Sequence, residues 1–178
     1  MMGDYCIRIT DEMRELADTA GRARFGNKEP YQEMLYGDHP SVDTNIFGAL
    51  GEIIVASALG LEFDAEARKH GDDGWDMAIV PNLTIDVKAR RHKMTYSTYD
   101  LALDESDPFD MKADIYVLVI IDGDIAHLYG WTSKVAMMFH GQRIYYRDWR
   151  WAMPSGKLRH FDELVAQSIA LRQRAKEK

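Results

Sequence analysis

The sequence predicts a mixed α/β domain, a central mixed β-sheet flanked by helices, and three observations predict it. Between Ile46 and Leu59 apolar residues recur at helical spacing. From Leu83 to Ala89 they alternate, with Leu83, Ile85 and Val87 on one face and Thr84, Asp86 and Lys88 on the other. From Ile115 to Ile121 the chain is almost continuously apolar, as expected of a strand buried on both faces, and Asp122-Gly123 then gives a tight-turn signal.

Taken in chain order, a first helix is expected from about Thr10 to Arg24, capped by Thr10 or Asp11, with Gly26 just past its end. Residues 27–44 contain Pro30, Gly37 and Pro40 and read as a short helix around Tyr31 to Leu35 followed by a loop. A second helix starts at a cap on Asp43 or Thr44 and ends at Gly60. Gly48 and Gly51 inside it each cost roughly 1 kcal/mol against alanine, which suggests close packing on that face. Strands follow at Leu61 to Ala65, Trp75 to Val80 and Leu83 to Ala89, with Pro81-Asn82 as the last turn. Ile115 to Ile121 and Ile125 to Trp131 form a hairpin, and Thr132 or Ser133 caps a short helix through about Phe139. Arg143 to Trp151 is a strand or an extended arm, and Phe161 to Lys176 closes the chain as an amphipathic helix.

The 178 residues, 46% hydrophobic and 29% charged, suit a single domain spanning 1–178. The longest apolar run is too short to span a bilayer. Met1 to Ile9 carries Asp4 and Arg8 and lacks the apolar core of a secretory leader. Cys6 is the single cysteine, so no intrachain disulfide is possible, and a cytoplasmic setting without a membrane partner is expected. The net charge of −7 argues against a surface that coats nucleic acid throughout. It is compatible with carboxylates that hold cations, because the positive charge is clustered at 88–93, 143–150 and 172–178.

Four residues carry the chemistry. Asp86 and Lys88, two apart on a strand, share a face, where a plain ion pair is the simplest reading. Asp76 precedes them on the neighbouring strand. A regular two-residue turn at Pro81-Asn82 would pair Asp76 with Val87 and turn it to the wrong face, so a three-residue loop or a bulge is expected, pairing Asp76 with Lys88. Glu52 interrupts an apolar helix, where a carboxylate is either solvated at the helix edge or paired, protonated or metal-bound. Three carboxylates suit a hard cation such as Mg²⁺ (Mn²⁺ substituting), and a lysine beside them can orient an attacking water. No His/Cys cluster has zinc spacing.

A helix bearing Glu52, then Asp76, then Asp86-Val87-Lys88 resembles the PD-(D/E)XK nuclease superfamily, the restriction-endonuclease-like fold, over roughly 43–131. Trp75 stands where the motif has proline. The resemblance implies an αβββαβ core with a linking helix in the poorly marked segment from Ser97 to Met111. It also implies metal ligation by Glu52, Asp76, Asp86 and the Val87 carbonyl, with Lys88 catalytic. The expected activity is a Mg²⁺-dependent deoxyribonuclease hydrolysing phosphodiesters by in-line attack of a metal-activated water. RNA as substrate is left open, a homodimer is suggested by analogy, and host-defence, repair or phage settings fit equally. The alternative is a non-catalytic nucleic-acid-binding or assembly protein on a nuclease fold. Arg90, Arg91 and Lys93, and Arg143, Arg147 and Arg150 among aromatics, are candidate nucleic-acid contacts, against solvated strand ends and core aromatics as the plainer readings. Asp72 or Asp73 is a weaker candidate ligand in what reads as a turn.

Overall fold

The computed structural model is a mixed α/β arrangement and describes residues 5–26, 41–63, 74–93, 99–103, 108–146 and 148–177. The described elements are, in order, β1 (Cys6–Arg8), α1 (Asp11–Gly26), α2 (Val42–Leu59), β2 (Met77–Val80), β3 (Leu83–Arg91) and β4 (Leu101–Ala102). They continue with β5 (Ile115–Asp122), β6 (Ile125–Ser133), α3 (Lys134–His140), β7 (Gln142–Tyr146), β8 (Asp148–Met153) and α4 (Phe161–Lys176). Five strands form a mixed sheet in the order β1-β6-β5-β3-β2, and β4, β8 and β7 form a second, three-stranded sheet. Among the described strands of the main sheet, only β3 and β5 run parallel.

β5 is buried on both faces, as its unbroken apolar run predicts. Ile115, Val117, Val119 and Ile121 pack into a core with Ile53, Ile54 and Val55 of α2 and with Phe161 and Leu164 of α4. Tyr116, Leu118 and Ile120 pack on the opposite side with Leu101, Leu103, Met137 and Met153. The sheet therefore separates two apolar layers, one under α1, α2 and α4, the other under α3 and the second sheet.

Helix ends follow local chemistry. Thr10 Oγ1 accepts from Met13 N at 3.2 Å, so α1 is capped as expected, although Gly26 closes the helix from within. α2 is capped by Ser41, whose Oγ accepts from Thr44 N at 3.1 Å, in place of the expected Asp43 or Thr44. Gly60, at φ 61°, ends it in the left-handed region. Arg172 of α4 donates to the last carbonyls, Leu59 O and Gly60 O, at 2.6 Å each. That residue, read from the sequence only as part of a basic cluster, ties α4 to the negative end of α2. α2 is long and apolar enough by composition to cross a membrane, yet half of it is buried inside the protein.

Other expectations are corrected. Leu61 to Phe63 is irregular, not the start of a strand, and 64–65 lie outside the described residues. The helix expected near Tyr31 to Leu35 also lies outside them. Between β3 and β5 the described residues hold β4 and a 3-10 turn at Pro108–Asp110, not a linking helix. The reason is that Leu101 and Ala102 leave the main sheet to pair with Met153 and Ala152 of β8. The segment Arg143 to Trp151 is two antiparallel strands, with Tyr145 opposite Trp149.

Candidate functional site

The β2–β3 hairpin turns at Pro81-Asn82, with Asn82 at φ 67° and Val80 opposite Leu83. The turn thus has two residues, but the hairpin is not regular. Ile79 is an extra residue on β2, and the register resumes with Ala78 opposite Thr84 and Met77 opposite Ile85. The bulge expected from the sequence is present, and it brings Asp76 level with Asp86 rather than Lys88.

Asp76 then sits on the edge of β3. Its N–H donates to Ile85 O at 2.8 Å, and its Oδ2 accepts from Val87 N at 2.6 Å. The carboxylate takes a ladder position that a further β2 carbonyl would otherwise fill. Trp75 leaves the β2 alternation and packs with the opposite layer from Met77 and Ile79. Among the described residues β2 pairs only with 83–85, so β3 from Asp86 onward has no strand neighbour on that side.

Asp86 and Lys88 share a face of β3, opposite Tyr116 and Leu118 of β5. Lys88 Nζ lies 3.1 Å from Asp86 Oδ2, and Asp86 is buried. On the other face Val87 and Ala89 meet α2. A methyl group on Gly51 would lie 2.6 Å from Ala89 Cβ, so the glycine permits that approach. Gly48, read the same way from the sequence, would have nothing within 4 Å of such a methyl among the described residues. Glu52 follows Gly51, is buried, and is gripped by a two-pronged contact from Arg24 of α1, Nη1 to Oε1 and Nη2 to Oε2 at 2.7 Å each. The side chains of Arg24 and Glu52 are 18% and 9% exposed, which makes the pair an internal one. The solvated-edge reading of Glu52 is therefore excluded.

The electrostatics join these parts. Burial pushes the Asp76 carboxyl well above the usual carboxylate range, and the negative charges of Glu52 and Asp86 push it the same way. The Val87 N–H and the Lys88 ammonium oppose the shift without reversing it. Glu52, Asp86 and Lys88 thus all act on Asp76, at an edge of β3 that no described strand covers beyond Ile85.

Among the described residues no three His, Cys, Asp or Glu side chains stand in metal-holding geometry. Glu52 is turned to Arg24 and Asp86 to Lys88. The acids are oxygen donors of the kind a hard cation takes, and Asp76 feels two other carboxylates as well as Lys88. Asp72 and Asp73 lie outside the described residues.

Arg24 is the site residue that sequence reasoning missed. The signal for it was indirect: a glutamate in an apolar helix needs a cation, and α1 carries arginines near its end. Of the candidate nucleic-acid contacts, Arg90, Arg91, Lys93 and Arg150 line a common pocket. Arg143 lies apart from it, 5.0 Å from the Trp149 ring centre. Arg147 is outside the described residues. The aromatics of this hairpin divide: Tyr145 and Trp149 are 67% and 51% exposed, whereas Trp151 is partly buried and donates from Nε1 to Met137 O at 2.9 Å. No family model, curated protein or solved structure matches the chain.

Proposed function

We propose that the protein is a Mg²⁺-dependent phosphodiesterase acting on DNA, with its centre at Glu52, Asp76, Asp86 and Lys88. What carries this is the desolvated Asp76 carboxyl, under the charge of Glu52 and Asp86 and beside Lys88, at a strand edge with no described strand over it. Such a concentration of interacting acids is costly for a fold and characteristic of sites that hold cations. The same four residues carry the resemblance to PD-(D/E)XK nucleases.

A bound divalent cation would acidify a water and offset the charge that builds on a phosphate oxygen. Asp76 and Asp86 are the residues to hold it, with the Val87 carbonyl beside them on β3. Glu52, fixed by Arg24, adds negative charge from the helix side. Lys88, held at Asp86, would orient the attacking water and offset charge on the phosphate. RNA as substrate and a homodimer acting on two strands belong to the same proposal.

Cleavage of labelled DNA with Mg²⁺ and with a chelator tests it. Asp86→Ala and Lys88→Ala are each expected to abolish Mg²⁺-dependent cleavage while circular dichroism stays that of the wild type. Wild-type cleavage rates in either variant would refute the assignment. A second reading, a non-catalytic nucleic-acid-binding or assembly protein on this fold, draws support from the Arg24 contact, which gives Glu52 a counter-ion without a metal. Calorimetric titration with Mg²⁺ separates the two, because a pure binder takes up no cation at Asp76 and Asp86.

A further inference from the structure

β3 continues past the acids with a third polar residue on the same face. Asp86, Lys88 and Arg90 stand opposite Tyr116, Leu118 and Ile120 of β5. Same-face positions on a strand recur every ~6.6 Å, so Arg90 starts one such step beyond Lys88. It lines a pocket of 710 Å³ closed by the first turn of α2 on one side and the inner face of the β7–β8 hairpin on the other.

The charge in this pocket opposes that of the protein as a whole. Among the described residues, Arg90, Arg91, Lys93 and Arg150 line it with one carboxylate, Asp100, in a chain of net charge −7. Asp100 Oδ1 already accepts from Ser155 N at 3.0 Å. Arg91 is held with its guanidinium 4.5 Å from the centre of the Phe47 ring. Arg90 Nε is buried and has no hydrogen-bond partner among the described residues. Where Arg90 lines the pocket, a guanidinium suits a phosphate through its planar fork of N–H donors. The volume falls in the range of small-ligand sites, about 300–1,000 Å³, room for a nucleotide unit but not to enclose a duplex.

We propose that this pocket is a subsite for a phosphate of an unpaired nucleic-acid strand, lying along β3 from the carboxylates to the hairpin. What happens at the carboxylates rests on the phosphodiesterase reading above; what binds in the pocket rests on the pocket itself.

Binding is measured by fluorescence anisotropy of a labelled unpaired DNA oligonucleotide and of its duplex, using the full chain in a chelator so that nothing is cleaved. The unpaired strand is expected to bind about tenfold or more tightly than the duplex. Arg90→Gln and Arg150→Gln should each weaken it about tenfold. Each should also reduce the slope of log affinity against log salt by about 0.7, the value for one phosphate contact on a single strand. Arg150→Lys should restore that slope, which a merely structural role for the arginine would not predict. Equal or tighter duplex binding, or wild-type strand affinity in both glutamine variants, overturns the proposal. So does a pocket that binds inorganic phosphate while strand affinity stays unchanged in those variants. Because the assay contains no metal, a wild type that fails to cleave leaves the binding result standing, and a failed binding result leaves the cleavage assay to be read alone.

Discussion

Asp76 shows most clearly how position sets chemistry. Its folded form favours the protonated acid, because burial and then the charges of Glu52 and Asp86 disfavour ionisation. The stabilisation from this preference is fully present below the ordinary value of 3.8 and is lost as the pH rises through the higher folded value. Asp76→Asn removes that loss and keeps an oxygen for the Val87 N–H. Without divalent cations the variant should melt above the wild type at pH 7, by roughly 2–4 °C for each kcal/mol relieved, and the gap should close on acidification. If Asp76 holds the proposed cation, added Mg²⁺ should raise the wild-type melting temperature and leave that of the variant in place. Thermal melts across pH, with and without Mg²⁺, check both. At this scale the sequence singled out four candidate residues but not the partner of Glu52. That Glu52 needed a counter-charge was legible from its apolar helix. That Arg24, 28 residues earlier, supplies it was not, because pairing between two helices leaves no periodic trace.

The two glycines of α2 separate a packing role from a propensity cost. Gly51→Ala places a methyl 2.6 Å from Ala89 Cβ, an atom fixed to the β3 backbone. A loss of roughly 1–3 kcal/mol is expected from that overpacking. Gly48→Ala meets nothing within 4 Å and should instead stabilise by up to about 1 kcal/mol. Denaturant unfolding of the two variants reads the opposite signs, and equal effects would contradict the assigned contact. The same sequence pattern announced both glycines, and only the packing distinguishes them. Elsewhere legibility followed signal strength. The β5–β6 hairpin is plain from Asp122-Gly123 and its apolar flanks. The β7–β8 hairpin was hidden because no glycine or proline stands between Gln142 and Met153, so its reversal reads as continued strand. The bulge at Ile79 could be required from the face that Asp76 had to reach, but not located.

At the scale of the whole molecule, β5 divides the apolar interior into two layers and also bears the strand on which the candidate site is built. β3 is laddered to it from Ile85 to Arg91, and β6 covers its other edge. The fold class was legible because a doubly buried strand and an apolar helix both leave strong patterns. The crossover from β3 to β5 was not, since its route is set by pairing with β8, far along the chain. Backbone amides of β5, enclosed by strands at both edges and by side chains on both faces, should exchange with deuterium only through global opening, slower than those of β2 or β7. Mass spectrometry of exchanged fragments measures this, and protection in β5 no greater than in β7 would contradict it. The consequence reaches one acid and the lysine: fastened to the best-enclosed strand, Asp86 and Lys88 should keep their spacing while the outer strands fray, whereas Asp76, at the start of β2, moves with the periphery.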